Sequence, residues 1–269
     1  MKRCCGFGLW GRTSGGAVIR NVLLVCGWLA VASPVAAQGS GAWEKGWIDV
    51  NFGTASAAEN EYDSIYVTTL FQEAAGFGAG YSLPRGGSFD VGGGYMFTPR
   101  IGIGVSLAGT AHEDHAALAI SIPHPFVFNA SAEDATTTTG TLTRAEGAWH
   151  VGAMLVAVQT PRFRVRLFGG PSYFRAEQDI ISNIRYSQVY QIFGRTNGVD
   201  ITTYETEKAV GTGWGGHVGG DVSVFFNRVV GVGMMVRVSR ASVDIDDYGG
   251  EESRKVGGVQ FGGGLRLKF

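Results

Sequence analysis

Three histidines and two carboxylates lie close together in the chain, at His112, Glu113, Asp114, His115 and His124. Imidazoles and carboxylates are common ligands of transition metals, so this stretch is a candidate metal site. The spacing differs from the His-Glu-x-x-His of zinc peptidases, and no helical pattern surrounds it that could hold two imidazoles against one ion. We therefore interpret it as a solvated polar loop, and we predict no metal and no cofactor.

Catalysis would require a nucleophile and a base within reach of each other. His217 and Asp221 lie on one face of an alternating segment but roughly 13 Å apart along a strand, too far for a direct dyad. His150 lies near the end of another segment, and no partner is marked for it in the sequence. The glycines of 211–216 match the spacing of a dinucleotide-binding loop but lack the helix that must follow, so they are strand glycines. The sequence predicts no catalytic residue and no enzyme.

A larger set of charged and imidazole side chains shares the polar faces of alternating segments. The set comprises Asp49, Asp90, His150, Arg164, Arg166, His217, Asp221, Arg237 and Arg266. Its mixed signs predict a network of ion pairs and water in a lumen, because buried charges must be paired or solvated. We interpret this network as a structural plug in preference to a conducting pore, and the sequence leaves the individual pairings open.

Strands are needed to position these side chains. Eight segments alternate between apolar and polar residues with the period of two that strands require. They cover 46–53, 87–97, 101–110, 148–158, a stretch from 163, 213–226, 229–239 and 255–269. Aromatic residues recur near the segment ends, as interfacial girdles would place them, and burial in a core is the alternative. These residues are Trp47, Tyr95, Phe97, Trp149, Phe163, Tyr173, Trp214, Phe226 and Phe269.

The connections alternate between three tight turns and four long loops, predicted at 54–86, 111–147, 177–212 and 240–254. This asymmetry is typical of transmembrane barrels, whose turns on the periplasmic side are short. The apolar run 126–128 is expected to rest against the barrel rim or pack on another loop. Residues 187–192 also alternate, and we expect them to extend strands beyond the membrane, while an added hairpin that gives ten strands is the alternative.

The first 37 residues contain Lys2, Arg3, Arg12 and Arg20, no acid, and a short apolar run that ends in small residues before Gln38. This pattern predicts a cleaved signal peptide, 1–37, followed by one barrel domain, 38–269. All 3 cysteines lie in the predicted signal, so the mature chain can form no disulfide. The 22 basic and 23 acidic residues nearly balance, and there is no basic tract to bind nucleic acid.

The last segment alternates strictly up to a terminal aromatic. Its apolar face contains Phe261, Leu265, Leu267 and Phe269, while Arg266 and Lys268 lie on the other face. This ending resembles the C-terminal assembly signal of bacterial outer-membrane β-barrels. With the signal peptide and the alternating turn lengths, nearly all of the mature chain resembles the small outer-membrane barrels around the OmpA barrel domain, OmpX and OmpW. We expect no peptidoglycan-binding domain of the kind that OmpA carries.

The pattern and the resemblance together predict an all-β protein, a closed antiparallel transmembrane barrel of eight strands in the bacterial outer membrane. The resemblance implies a monomer that contacts outer-membrane lipid and lipopolysaccharide, periplasmic chaperones and the barrel assembly machinery. We expect a non-enzymatic structural or surface-interaction role through the long loops. Two alternatives are a narrow passage for small or apolar molecules and an outer-leaflet lipid-modifying enzyme. A soluble lipocalin-like barrel is the alternative fold, which would require the apolar face to point inward.

Overall fold

The computed structural model describes residues 44–59, 61–130, 132–189, 198–247 and 250–269, so the predicted signal peptide lies outside the described residues. Eleven strands cover most of these ranges. They are β1 (Gly46–Ala55), β2 (Glu61–Leu70), β3 (Glu73–Ser82), β4 (Gly86–Met96), β5 (Ile101–Ile122), β6 (Glu133–Thr138), β7 (Leu142–Gln159), β8 (Phe163–Val189), β9 (Gly198–Phe225), β10 (Val230–Asp247) and β11 (Gly250–Lys268). Within the same ranges no helix is long and apolar enough to cross a membrane.

The strands close into an antiparallel ring. Hydrogen bonding runs from β1 to β4, then through β5, β7, β8, β9, β10 and β11. The first and last members of this series also pair, since Ile48 lies opposite Leu267 and Val50 lies opposite Leu265. The main-chain groups of this ring therefore have partners on both sides, and the ring has no exposed edge.

The two faces of the ring differ as the alternation predicts. Polar and charged side chains point inward and are buried, whereas the outward side chains are apolar and exposed. The outward set includes Ile103, Val105, Val151, Leu155, Leu167, Val218, Val222, Val232, Met234, Val236, Val259, Phe261 and Leu265. This orientation is the reverse of a soluble lipocalin-like barrel, in which the apolar face would fill the interior.

Three tight turns connect strands at one end of the ring, as the sequence predicts, at 97–100, 160–162 and 226–229. Side chains fix all three, and in the turn at 160–162 the hydroxyl of Thr160 accepts a hydrogen bond from the N–H of Phe163 at 3.0 Å. The hydroxyl of Thr98 accepts hydrogen bonds from the main-chain N–H of Arg100 and Ile101, and the amide oxygen of Asn227 accepts from Val229 and Val230.

The prediction of long loops at the other end is wrong in detail, because most of those residues form strands. Six strands extend beyond the predicted segments, namely β5, β7, β8, β9, β10 and β11. The distal part of β5 pairs with β3 and β6, and β3 also pairs with β2, which gives a second sheet ordered β2-β3-β5-β6. We call β2, β3, β6 and residues 115–122, 179–189 and 198–208 the outer cap. Its apolar alternation, as in 116–122, supplies a core that a free loop would lack.

Of residues 187–192, those up to Val189 belong to β8, which pairs with β9 down to Gly198, and residues 190–192 lie outside the described residues. One outward assignment needs correction. Trp47, predicted in an aromatic girdle, points inward and packs with Met96, Met154 and Val156. An irregularity between Val156 and Val158 in β7 turns Val158 outward, whereas Met154 and Val156 remain on the inward face that carries His150.

Two consecutive glycines bend β11 above the point where β1 ends. Gly257 and Gly258 have φ values of 95° and 124°, which side chains disfavour. A Cβ on Gly258 would lie 1.9 Å from the carbonyl oxygen of Ser56, and a Cβ on Gly257 would lie 2.5 Å from that of Ser239. The bend directs the Gly257 N–H to the carboxylate of Glu146 inside the ring, at 2.9 Å.

Candidate functional site

All nine side chains predicted to share a polar interior lie inside the ring and are buried, from Arg266 at 1% exposure to His217 at 9%. They do not form one continuous network. The structure divides them among four groups and adds partners that the sequence did not identify. These added partners are Glu44, Asn51, Ser106, Ser172, Ser223, Gln260 and Lys268.

The most connected group is centred on Asp221. One oxygen of its carboxylate accepts hydrogen bonds from Arg166, at 3.1 and 2.7 Å, and the other accepts from Arg266 Nε at 2.8 Å. Arg166 also donates to Asp49 at 2.6 Å, and the hydroxyl of Ser223 donates to Asp221 at 2.6 Å. Two guanidinium groups and two carboxylates thus balance in charge across the interior.

A second group is centred on Arg237. Its guanidinium donates to Asp90 at 2.6 Å, to Ser106 at 2.9 Å and to Gln260 at 3.3 Å. The amide of Asn51 donates to the other oxygen of Asp90 at 3.2 Å. This group joins five strands of the ring, because one side chain comes from each of β1, β4, β5, β10 and β11.

The third group lies at the end with the tight turns. Glu44 accepts hydrogen bonds from Arg164 and forms an ion pair with Lys268, with 2.7 Å between Nζ and Oε1. Both cations also lie over the ring of Phe225, at 5.3 Å for Arg164 and 4.2 Å for Lys268. The two inward arginines of β8 therefore have separate partners.

The fourth group joins two imidazoles through a hydroxyl. Ser172 Oγ lies 2.7 Å from Nδ1 of His150 and 2.9 Å from Nδ1 of His217, and it can donate to one ring and accept from the other. The two ring centroids are 4.7 Å apart. Ser172 is the partner of His150 that sequence reasoning missed. Its place on the polar face of β8 was visible, but only the strand register sets it between the two histidines.

Further layers fill the ring toward the outer cap. Small and branched apolar side chains form the next layer, comprising Ala108, Ala148, Phe174, Ala176, Ala209, Ala241, Val243, Ile245 and Val256. A buried ion pair lies near it, in which Arg144 donates to Glu146 at 2.9 Å. A cavity of about 40 Å³ remains beside His150, His217 and Asp90. That volume holds about three water molecules, so the interior is closely filled.

The outer cap is held over this end of the ring by an aromatic cluster. Tyr62 stacks on Tyr81 with ring centroids 4.6 Å apart, and Arg254 of β11 lies 4.1 Å from the Tyr62 ring. The hydroxyl of Tyr81 accepts from the N–H of Ile181 in β8, at 3.0 Å. Burial raises the pKa of Tyr62 above its ordinary value. The cap thus has a packed core of its own.

The candidate metal ligands alternate along β5 instead of converging. His112 and Asp114 point inward and are buried, whereas Glu113 and His115 point outward. His112 Nδ1 contacts the carbonyl oxygen of Pro84 at 2.9 Å, and Asp114 accepts hydrogen bonds from the N–H of Ser82 and His115. Burial raises the pKa of Asp114. No group of three possible ligands that could hold a metal ion occurs among the described residues.

The C-terminal residues form the seam that closes the ring. Phe261, Leu265 and Phe269 are exposed on the outward face, and Leu267 is half-buried. The carbonyl oxygen of Phe269 accepts from the N–H of Lys45 and Gly46, and its own N–H donates to Gly46.

A scan against models of protein families and a search of curated proteins both found no match. Among solved structures, the chain is similar to small outer-membrane β-barrel proteins. One is the outer membrane protein OprG from Pseudomonas aeruginosa, with 11% identity, a TM-score of 0.46, and 84% of this chain and 96% of that chain covered.

Two further structures show lower TM-scores. The outer membrane protein W of E. coli has 15% identity and a TM-score of 0.34, with 86% of this chain and 100% of that chain covered. Ail, the attachment invasion locus protein of Yersinia pestis, solved with the heparin analogue sucrose octasulfate, has 14% identity and a TM-score of 0.32, with 82% and 99% covered.

Proposed function

We propose that this protein is a non-enzymatic, integral β-barrel of the bacterial outer membrane, with a filled lumen and an outer cap that sets its surface interactions. The observation that carries the proposal is the pair of opposed faces, an exposed apolar outside and a buried, ion-paired inside. In water the outward face would leave a large contiguous apolar surface exposed. In lipid the same face is favourable, and the closed ring satisfies the main chain.

Aromatic side chains support this placement because they form two outward belts. Tyr95, Phe97, Phe163, Phe226 and Phe269 are exposed near the tight turns, and Trp149, Tyr173 and Trp214 are neighbours in the register farther along the ring. Phe163 and Tyr173 are about ten residues apart on β8, which corresponds to roughly 25 Å along the membrane normal for a tilted strand. That span matches the apolar band of an outer-membrane barrel.

The proposed partners of the protein follow from its proposed location in the outer membrane. The outward face would contact outer-membrane lipid and lipopolysaccharide after cleavage of the signal peptide in the periplasm. The terminal residues Phe261, Leu265, Leu267 and Phe269 would be read by the barrel assembly machinery, with periplasmic chaperones delivering the chain. A ring that closes on itself needs no second copy to cover an edge, so we propose a monomer.

The filled interior argues against a passage through the lumen. Salt bridges from Arg166, Arg237 and Arg266 span it, and an apolar layer lies beyond them. Breaking a buried ion pair costs about 3–5 kcal/mol, so thermal opening of a continuous channel is rare. A lipid-modifying activity is also disfavoured. Ser172, whose hydroxyl contacts His150, is buried inside the ring and does not face the lipid.

The direct test is to fractionate producing cells and run the outer-membrane fraction on SDS gels with and without boiling. A fast-migrating unboiled band that shifts on heating is expected for a closed barrel. Purified protein in planar bilayers should then give no more conductance, and liposomes no more swelling, than protein-free controls. Soluble periplasmic protein without a heat shift would overturn the barrel in the membrane, whereas steady conductance would overturn the sealed lumen alone.

A further inference from the structure

The turn between β2 and β3, the connection between β5 and β6 and the distal part of β8 meet at the end of the outer cap. The carboxylate of Glu73, next to the turn between β2 and β3, accepts a hydrogen bond from the N–H of Asn129 in the connection between β5 and β6. The amide of Gln188, near the distal end of β8, donates to the carbonyl oxygen of Pro123 in the same connection, at 3.4 Å. These contacts fix the β5–β6 connection between its two neighbours.

This end of the molecule exposes apolar side chains where the sequence predicted them to be packed away. Phe126 is 78% exposed, Val127 54% and Phe128 66%, and Phe71 and Val189 are 48% and 57% exposed. We call these five residues the apolar tip. The expectation that 126–128 would rest against the rim or pack on another loop is therefore wrong. The fold carries these side chains to the far end of β5, away from the ring.

Several main-chain N–H groups of the turn that carries Phe126, Val127 and Phe128 have hydrogen-bond partners within the cap. Nδ1 of His124 accepts hydrogen bonds from the N–H of Phe126 at 3.1 Å and of Val127 at 3.0 Å. The N–H of Ala130 donates to the carbonyl oxygen of Val127 at 3.4 Å, and Asn129 takes the left-handed conformation, with φ 59°. The turn is thus fixed with its side chains pointing outward, and few N–H groups would lose water if it entered lipid.

The charges around the apolar tip also restrict its partner. Residues 123–134 contain no lysine or arginine, and Glu133 and Asp134 follow the turn while Glu73 is bonded to it. The turn that carries Phe126 and Phe128 therefore offers no side-chain cation to an anionic headgroup. Beyond its last pairing with β7 at Asp114, β5 continues for eight residues, roughly 26 Å at the rise of an extended strand, so the apolar tip lies well away from the ring.

We propose that the apolar tip inserts into the interface of a second membrane made of zwitterionic lipid, so that this protein docks its cell onto a lipid surface. The inference rests on the proposed orientation of the barrel, with the outer cap facing away from the cell. Aromatic side chains partition into the boundary between headgroups and acyl chains, and a convex tip needs no complementary pocket there. The alternative is a protein partner, namely a second copy of this chain. Such a copy would pair at β2, where Ile65 and Val67 are exposed.

The test uses the full mature protein in nanodiscs, mixed with large phosphatidylcholine vesicles and sedimented. The double variant Phe126→Ser and Phe128→Ser should reduce sedimentation with the vesicles at least tenfold. The matched control, Ile65→Ser with Val67→Ser, removes two equally exposed apolar side chains of the same cap and should bind within twofold of the wild type. The heat shift on SDS gels verifies that each variant is folded.

Three results would overturn the inference. These are wild-type binding no stronger than that of empty nanodiscs, equal binding by the Phe126 and Phe128 variant, or binding only to vesicles that contain anionic lipid. Pairing of nanodiscs without vesicles that the Ile65 and Val67 variant abolishes would instead identify a second copy as the partner. A barrel that shifts on heating but binds no vesicle leaves the proposed function standing, so the two failures can be told apart.

Discussion

Arg166 of β8 and Asp221 of β9 lie directly opposite each other in the strand register and are joined by two hydrogen bonds inside the ring. Both side chains are almost completely buried, at 2% and 3% exposure. Each charge is tolerated there because it is paired, and each has a second buried partner, Asp49 for Arg166 and Arg266 for Asp221. The pair thus stabilises the barrel and at the same time fills its lumen.

Replacing Asp221 with alanine leaves Arg166 and Arg266 without the carboxylate that they share. We expect a loss of about 3–5 kcal/mol in the free energy of unfolding, since uncompensated charges remain buried. Urea unfolding in detergent micelles, followed by tryptophan fluorescence, measures it. The exposed pair of Arg185 and Glu205 in the outer cap supplies the control, and Glu205→Ala should leave the midpoint unchanged. Equal midpoints for the two variants would contradict this account.

The bend of β11 predicts that Gly258 cannot accept a side chain. A Cβ would lie 1.9 Å from the carbonyl oxygen of Ser56, and the φ of 124° is itself unfavourable. Gly258→Ala should therefore remove most of the fast-migrating band on unboiled gels. Gly109→Ala is the matched control, because a Cβ there meets nothing within 4 Å. A folded Gly258 variant would show that the bend is dispensable.

The raised pKa of Asp114 predicts that the outer cap is more stable in mild acid. An acid with a raised folded-state pKa favours folding below its unfolded pKa, about 3.9, and this stability is lost as pH rises through the folded value. Hydrogen exchange at β3 amides other than that of Ser82, whose N–H bonds Asp114 itself, should show protection that falls from pH 4 to pH 7 after correction for intrinsic rates. Asp114→Asn should remove the pH dependence, and a fall that persists would point to another group.

Ser172 is predicted to act in packing and not as a nucleophile. Ser172→Ala removes the hydroxyl that serves both His150 and His217, so we expect a loss of about 1–3 kcal/mol in stability. Ser88→Ala is the control, because the buried Ser88 hydroxyl has no partner among the described residues. Lipid A and phospholipid profiles of cells that produce wild type or Ser172→Ala should be identical. A profile that changes with the serine would revive the enzymatic alternative.

The terminal aromatic is predicted to matter for assembly more than for the folded state. Phe269→Ala should lower the fraction of protein that reaches the outer membrane as a heat-shifting band. Phe226→Ala removes another exposed aromatic near the tight turns, at 71% against 60% exposure, and should assemble normally. Equal assembly of the two variants would mean that Phe269 is only one more residue of the belt.

The strands of the ring and their two faces could be predicted from sequence because a strand has a fixed period of two. Asp49 and Asn51 alternate with Ile48, Val50 and Phe52, and this local geometry assigns each to a face whatever the rest of the chain does. The three tight turns carry their own signals, such as Pro99 and Asn227. These features depend on neighbours within a few residues, so the sequence alone determines them.

Contacts between distant residues could not be predicted in this way. The register between strands decides that Ser172 lies between His150 and His217, and a shift of a single residue would point every side chain of a strand to the opposite face. The outer cap depends on the same long-range pairing, since β3 and β6 form strands against β5 where sequence reasoning expected loops. The exposure of Phe126 and Phe128 is equally a tertiary result, because the hydrophobicity of a side chain does not reveal whether the fold supplies anything to cover it.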